Sequence, residues 1–186
     1  MEEVKPLIMI VDDEPEIVRV VQLILEDEGY KVWTANNGQS AFERLEAGLA
    51  RRREYGVDDN VKYLPDLILS DVMMPVMNGY EFYERTRGHP ALNHIPFIFL
   101  TAKSDEVEIR RGKELGADDY LTKPTPPEDL LASVKGKLRR VSQRRSLMLQ
   151  FTGDVNKPPM MGVVLVLAFV VAIVVVTIIV TWLLMG

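Results

Sequence analysis

The chain alternates short unbroken apolar runs with longer stretches whose apolar residues return every three or four positions. The runs read as buried strands and the stretches as amphipathic helices. Pro6 to Val11 (PLIMIV) predicts a first strand, ending in Asp12, Asp13, Glu14 and Pro15. A helix follows with Pro15 in its first turn and Ile17, Val20, Val21, Ile24 and Leu25 on one face, and Gly29 stops it. Tyr30 to Ala35 alternates as a second strand, and Asn36-Asn37-Gly38 turns the chain. Ala41, Phe42, Leu45 and Leu49 mark a second helix running to Arg51, Arg52 and Arg53, cations that suit the negative end of the macrodipole. Glu54 to Leu64 has no period and predicts a surface excursion.

Leu67 to Ser70 predicts a third strand that delivers Asp71 to its C-terminal end, before a Met-Met-Pro turn. A helix through Tyr80, Phe82, Tyr83 and Arg87 follows, closed by Gly88, His89 and Pro90. Phe97 to Leu100 is the next strand, ending in Thr101-Ala102-Lys103, and a helix after Ser104 stops at Gly116. Tyr120 to Thr122 is a short last strand before Lys123-Pro124, and Pro126 and Pro127 open a final helix with Leu130, Leu131, Val134 and Leu138 inward. Strands alternating with helices imply an α/β fold, a doubly wound five-stranded parallel sheet covered on both faces. Its strand ends then open on one edge, where such sheets place their ligands, and Asp12, Asp13, Asp71, Thr101 and Lys123 each sit at or just past such an end.

The pattern changes beyond this region. After Lys157 no charged side chain appears, and from Val163 to Met185 only Thr177 and Thr181 are polar apart from the Trp182 indole. As a helix the run reaches roughly 35 Å, enough to cross a hydrocarbon core of about 30 Å. The expected organisation is a globular domain over 1–141, a basic juxtamembrane linker over 142–161, irregular from Phe151 to Pro159, and one transmembrane helix over 162–185. Charge divides the same way. Up to Val134 there are 15 Lys/Arg against 26 Asp/Glu, a balance of −11, and from Lys135 onward seven basic residues against Asp154 alone, a balance of +6. The acidic part would repel nucleic acid, so no nucleic-acid partner is expected. Lys135, Lys137, Arg139, Arg140, Arg144 and Arg145 solvate a helix face and also read as a contact with anionic membrane lipid. They set orientation too: a single-pass protein with its globular domain in the cytoplasm, tail-anchored, with only Gly186 beyond the span. Ala168 and Ala172 form a small-xxx-small pair, a weak hint that leaves a homodimer open. The absence of cysteine excludes disulfides and thiolate metal sites.

Three carboxylates at one edge repel one another unless a hard cation joins them, and Mg²⁺ suits an open oxygen cluster. Asp71 is then placed to act as a nucleophile on phosphorus, giving an acyl phosphate. Lys123 supplies a point charge for the phosphoryl oxygens and Thr101 a hydroxyl. Taken singly, each has a plainer explanation: Asp12 and Asp13 as helix N-terminal residues, Asp71 as turn chemistry, Thr101 and Lys123 as strand-end polar groups. Their joint occurrence in this order favours the phosphoryl site.

VDDEP, SDVMMPVMNG, LTAKSD and GADDYLTKP resemble the successive motifs of the response-regulator receiver domain, over roughly Pro6 to Arg140. The spacings, 30 residues from Asp71 to Thr101 and 22 from there to Lys123, are similar to the family's. The resemblance implies a flavodoxin-like strand order, 2-1-3-4-5. It implies Asp71 as phosphoacceptor, Asp13 as a direct Mg²⁺ ligand, Asp12 as a ligand through water and the backbone carbonyl of Met73 as another. Thr101 and Tyr120 would be the switch pair, and Lys123, before a cis Pro124, the phosphate-binding lysine. The phosphodonor would be a histidine kinase or a phosphotransfer protein. Two departures stand out: extra length between Asp13 and Asp71, falling at Gly48 to Leu64, and the lack of the usual second domain. The expected function is a membrane-tethered response regulator that switches a binding face for a downstream protein partner, a signalling device rather than a metabolic enzyme. The alternative is a phosphorylation-independent membrane scaffold. A phosphatase with an aspartyl nucleophile would want an acid where Met73 stands.

Overall fold

A computed structural model describes residues 5–56, 62–102 and 116–155, with side chains to 143. The chain divides into two compact units, Met1–Val141 and Ser142–Gly186. In the first, β1 (Leu7–Val11), β2 (Lys31–Ala35), β3 (Leu67–Asp71), β4 (Phe97–Ala102) and β5 (Asp119–Lys123) form one parallel sheet in the order β2-β1-β3-β4-β5. The flavodoxin-like topology is therefore as expected. Helices α1 (Pro15–Asp27), α2 (Gly38–Tyr55), α3 (Gly79–Gly88) and α4 (Pro127–Val155) are the helices among the described residues. The helix expected after Ser104 lies outside them.

Both faces of the central strands are apolar, which is why their sequences run without alternation. Met9, Val11, Ile68, Phe97 and Phe99 pack with α2 and α3, while Ile8, Ile10, Leu67, Leu69, Ile98 and Leu100 pack with α1 and α4. At about 1.5–3 kcal/mol for each large side chain buried, these two layers are the main favourable term in folding. The α3 aromatics seat on β4: Tyr83 meets Phe97 edge-on at 5.1 Å and Tyr80 lies 5.0 Å from Phe99.

Several expected boundaries move. Val20 is 56% exposed, so the inward face of α1 is Ile17, Val18, Val21, Ile24 and Leu25, one step round from the face expected. Gly38 opens α2 rather than merely turning the chain, because the Asn37 side chain accepts from the Ser40 N–H and caps the helix. That helix runs past Arg53 to Tyr55, so Glu54 and Tyr55 are helical where the surface excursion was expected to begin; residues 57–61 lie outside the described residues. Thr101 falls within β4, not past its end. Phe151 to Val155 continue α4, contrary to the irregular linker expected from Phe151 onward. A single glycine costs an established helix only about 1 kcal/mol, so Gly153 need not end it.

No helix among the described residues is long and apolar enough to cross a membrane. The run from Val163 to Met185 lies outside them.

Candidate phosphoryl-acceptor site

Asp71 is the last residue of β3 and Asp12 follows β1, neighbouring strands whose C-terminal ends lie side by side. Carboxylate oxygens of Asp12, Asp13 and Asp71 all lie within 4.8 Å of one another. Asp12 and Asp71 are buried and Asp13 is exposed, so the cluster opens to solvent on one side only. Asp12 is held from behind: its Oδ1 accepts the Glu14 N–H at 3.0 Å, and its backbone N–H donates to the Ala35 carbonyl at 3.1 Å.

Lys123, at the end of β5, reaches across the edge. Its Nζ lies 2.6 Å from Asp12 Oδ2, 2.9 Å from Asp71 Oδ1 and 3.8 Å from Glu14 Oε1. Burial pushes the Asp71 carboxyl above the usual range, against the pull of Lys123, so its charge is held there at a cost. Burial would lower Lys123, but its bonds to Asp12 and Asp71 outweigh that and keep it firmly protonated. One ammonium thus faces two buried carboxylates, with Asp13 and Glu14 at the rim. The Lys123–Pro124 peptide bond is cis, as the resemblance implied.

Thr101 is buried and pairs in register with Thr122, one residue before Lys123. Tyr120 pairs in register with Phe99 and stacks on its ring at 5.2 Å. Its hydroxyl is buried and has no hydrogen-bond partner among the described residues. Burial, then Tyr80 and Tyr83, push that phenol well above its ordinary value, so it stays neutral. Met73 follows Asp71 by two residues and is 70% exposed.

Gly79, at the start of α3, packs against the backbone of the strand end. A Cβ there would come 2.1 Å from the Asp71 carbonyl oxygen, and its N–H donates to the Val72 carbonyl at 2.9 Å. The first turn of α3 therefore rests on the backbone of the acidic residue itself. Gly38 does the same from α2, donating to the Met77 carbonyl at 3.0 Å where a Cβ would meet that oxygen at 2.8 Å. The glycines eight residues after Asp71 and one after Asn37 were visible in sequence, but not what they touch.

The model of the response regulator receiver domain family matches residues 8–135. The alkaline phosphatase synthesis transcriptional regulatory protein PhoP of Bacillus subtilis is 40% identical over 133 residues, covering 72% of this chain and 48% of that protein. The DNA-binding response regulator MtrA of Mycolicibacterium smegmatis is 33% identical over 156 residues, covering 84% of this chain and 60% of that one. The chain thus spans about half to three-fifths of these relatives. Among solved structures, a CheY-like receiver domain protein from Methanospirillum hungatei is 27% identical with a TM-score of 0.62, covering 75% of this chain and 98% of that one. The receiver domain of a signal transduction histidine kinase from Syntrophus aciditrophicus is 37% identical with a TM-score of 0.59, covering 73% and 92%. The expectation of no nucleic-acid partner draws no support from these relatives, one of which is DNA-binding by name.

Proposed function

The chain belongs to the response regulator receiver domain family, and on that premise we propose that it is a signalling switch in which Asp71 accepts a phosphoryl group from a histidine kinase or a phosphotransfer protein. The observation that carries this is the convergence of Asp12, Asp13 and Asp71 within 4.8 Å, with the Lys123 ammonium 2.9 Å from Asp71. An Asp71 carboxylate oxygen attacks phosphorus, the donor's N–P bond breaks, and the leaving imidazole nitrogen takes a proton from solvent. Water later cleaves the acyl phosphate to inorganic phosphate and the free carboxylate.

The donor set fits Mg²⁺: hard oxygens only, two buried and one open to solvent. Asp12, Asp13, Asp71 and the Met73 backbone carbonyl would hold it, with Asp12 through water. When bound, the ion neutralises the carboxylates and draws charge from the phosphoryl oxygens. Lys123 orients those oxygens from the other side, Thr101 donates its hydroxyl to one, and Tyr120 responds with it as the second member of the switch. The face they bias lies around α4 and the helix expected after Ser104, where a downstream protein partner binds; nothing in the cycle makes the protein a metabolic enzyme. We propose further that 162–185 spans a membrane once with the receiver in the cytoplasm and the linker over 142–161 against anionic lipid. The uncharged run and its basic flank support that reading. In this reading the acidic receiver contacts protein and lipid and no nucleic acid.

Incubating the full chain with a small phosphodonor and Mg²⁺ tests the switch. The expected product is an acid-stable, base-labile adduct that Asp71→Asn abolishes; an unmodified mass for the native chain removes the proposal.

A further inference from the structure

The far half of α2 and the edge strand β2 enclose a groove of 380 Å³ that shares no residue with the carboxylate cluster. Arg44, Ala47, Gly48 and Arg51 line one wall at helical spacings of three, four and seven, so they form a single stripe of α2. Two arginines about 10.5 Å apart along the axis thus flank a saddle of small residues. Trp33 of β2 forms the opposite wall, half-buried, with the Arg44 guanidinium 4.4 Å from its ring centroid. Tyr63 closes the end. Its carbonyl oxygen sits where a Gly48 Cβ would lie, at 2.0 Å, so the chain leading into β3 rests directly on the helix and only glycine permits it.

The charge here runs against that of the surrounding unit. Lys62 is neutralised by Asp66 at 2.8 Å, and Arg44 spends one donor on the Thr34 carbonyl at 3.4 Å. Arg51 is exposed and has no ion pair or hydrogen bond among the described residues. A cationic groove therefore stands on a unit whose balance to Val134 is −11. Its volume lies within the roughly 300–1,000 Å³ of small-molecule sites and is too small for a peptide helix about 10 Å across. An indole with a guanidinium stacked on it offers a planar platform, and an unpaired guanidinium offers a fork for phosphate.

We propose that this groove binds a phosphate-bearing planar ligand of mononucleotide size, its ring against the Trp33–Arg44 pair and its phosphate on Arg51. The chain has two tryptophans, Trp33 and Trp182, so Trp182→Phe leaves Trp33 as the reporter. Full-length Trp182→Phe protein in detergent micelles is titrated with AMP and GMP, and in parallel with ribose 5-phosphate, inorganic phosphate and an acidic peptide. The expected result is saturable quenching by a nucleotide, weakened roughly tenfold or more by Arg51→Gln and unchanged by Arg19→Gln, with matched thermal melts for both variants. No saturable quenching at millimolar nucleotide overturns the proposal. So does equal affinity for ribose 5-phosphate or inorganic phosphate, a response to the peptide alone, or indifference to Arg51→Gln. The readout does not involve phosphoryl transfer to Asp71, so its failure leaves the proposed switch standing.

Discussion

Val76 holds φ at 70°, a backbone region that β-branched side chains avoid, and the Met77 N–H donates to the Pro75 carbonyl at 2.8 Å around it. The side chain is 82% exposed and its burial returns nothing for the strain. Such a conformation costs about 1–2 kcal/mol, while a glycine would lose about 0.5–1 kcal/mol to unfolded-state entropy. Val76→Gly should therefore raise the melting temperature by up to a few degrees, and calorimetry showing a fall would place the strain elsewhere. Asp119 carries the opposite lesson. Burial would push its carboxyl up, but the Ser133 hydroxyl at 2.7 Å and Lys137 at 3.2 Å outweigh this and hold it below its ordinary value. A lowered folded-state value means the unfolded chain takes up the proton first as pH falls. Its contribution is fully present above the unfolded value near 3.9 and is lost as pH falls through the folded one. Ser133→Ala should flatten the loss of stability below about pH 4, read from melts across that range, while an unchanged slope would show that the bond contributes nothing.

At the scale of elements, α2 sets a contest between propensity and packing. Alanine is favoured over glycine within a helix by about 1 kcal/mol, so Gly48→Ala alone would be stabilising. Here the new Cβ would lie 2.0 Å from the Tyr63 carbonyl oxygen, a backbone atom that yields only if the segment shifts. Overpacking typically costs about 1–3 kcal/mol, so Gly48→Ala should lower stability on balance, and a higher denaturation midpoint would contradict the contact. The same helix shows why the sequence was legible in part. Ala41, Phe42, Leu45 and Leu49 revealed its buried stripe, and all four are buried. The arginines from Arg51 to Arg53 carried the expected helix on, but Glu54 and Tyr55 lie on solvent, where no period betrays its last residues. The central strands were plain because both faces are apolar, and Asp12, Asp71 and Lys123 were plain because parallel strands must end on one edge. Val20 misled because a valine beside Val21 carries no mark of which faces inward; packing around β1 decides it. Likewise Gly79 announces a turn in sequence, whereas its closeness to the Asp71 carbonyl exists only in three dimensions.

For the whole molecule, the charge division and the apolar run bear on where the proposed switch would act. A receiver free in solution meets partners by diffusion. One held by its own chain meets membrane partners at an effective concentration set by the tether, in the millimolar range for short flexible linkers. The 23 residues from Val163 to Met185 carry no charge, and their expected reach of roughly 35 Å as a helix exceeds a hydrocarbon core of about 30 Å. A basic flank alone would hold the protein by screened electrostatics, which high salt weakens; a spanning helix is held by buried apolar area, which salt and alkali leave intact. The two are separable by extraction. Full-length protein should stay with membranes through high salt and carbonate and leave only with detergent, while deletion of Val163 to Met185 should make it salt-extractable. Release of the full-length protein by salt or carbonate alone would exclude the span, and the phosphoryl switch at Asp71 would then stand without its anchor.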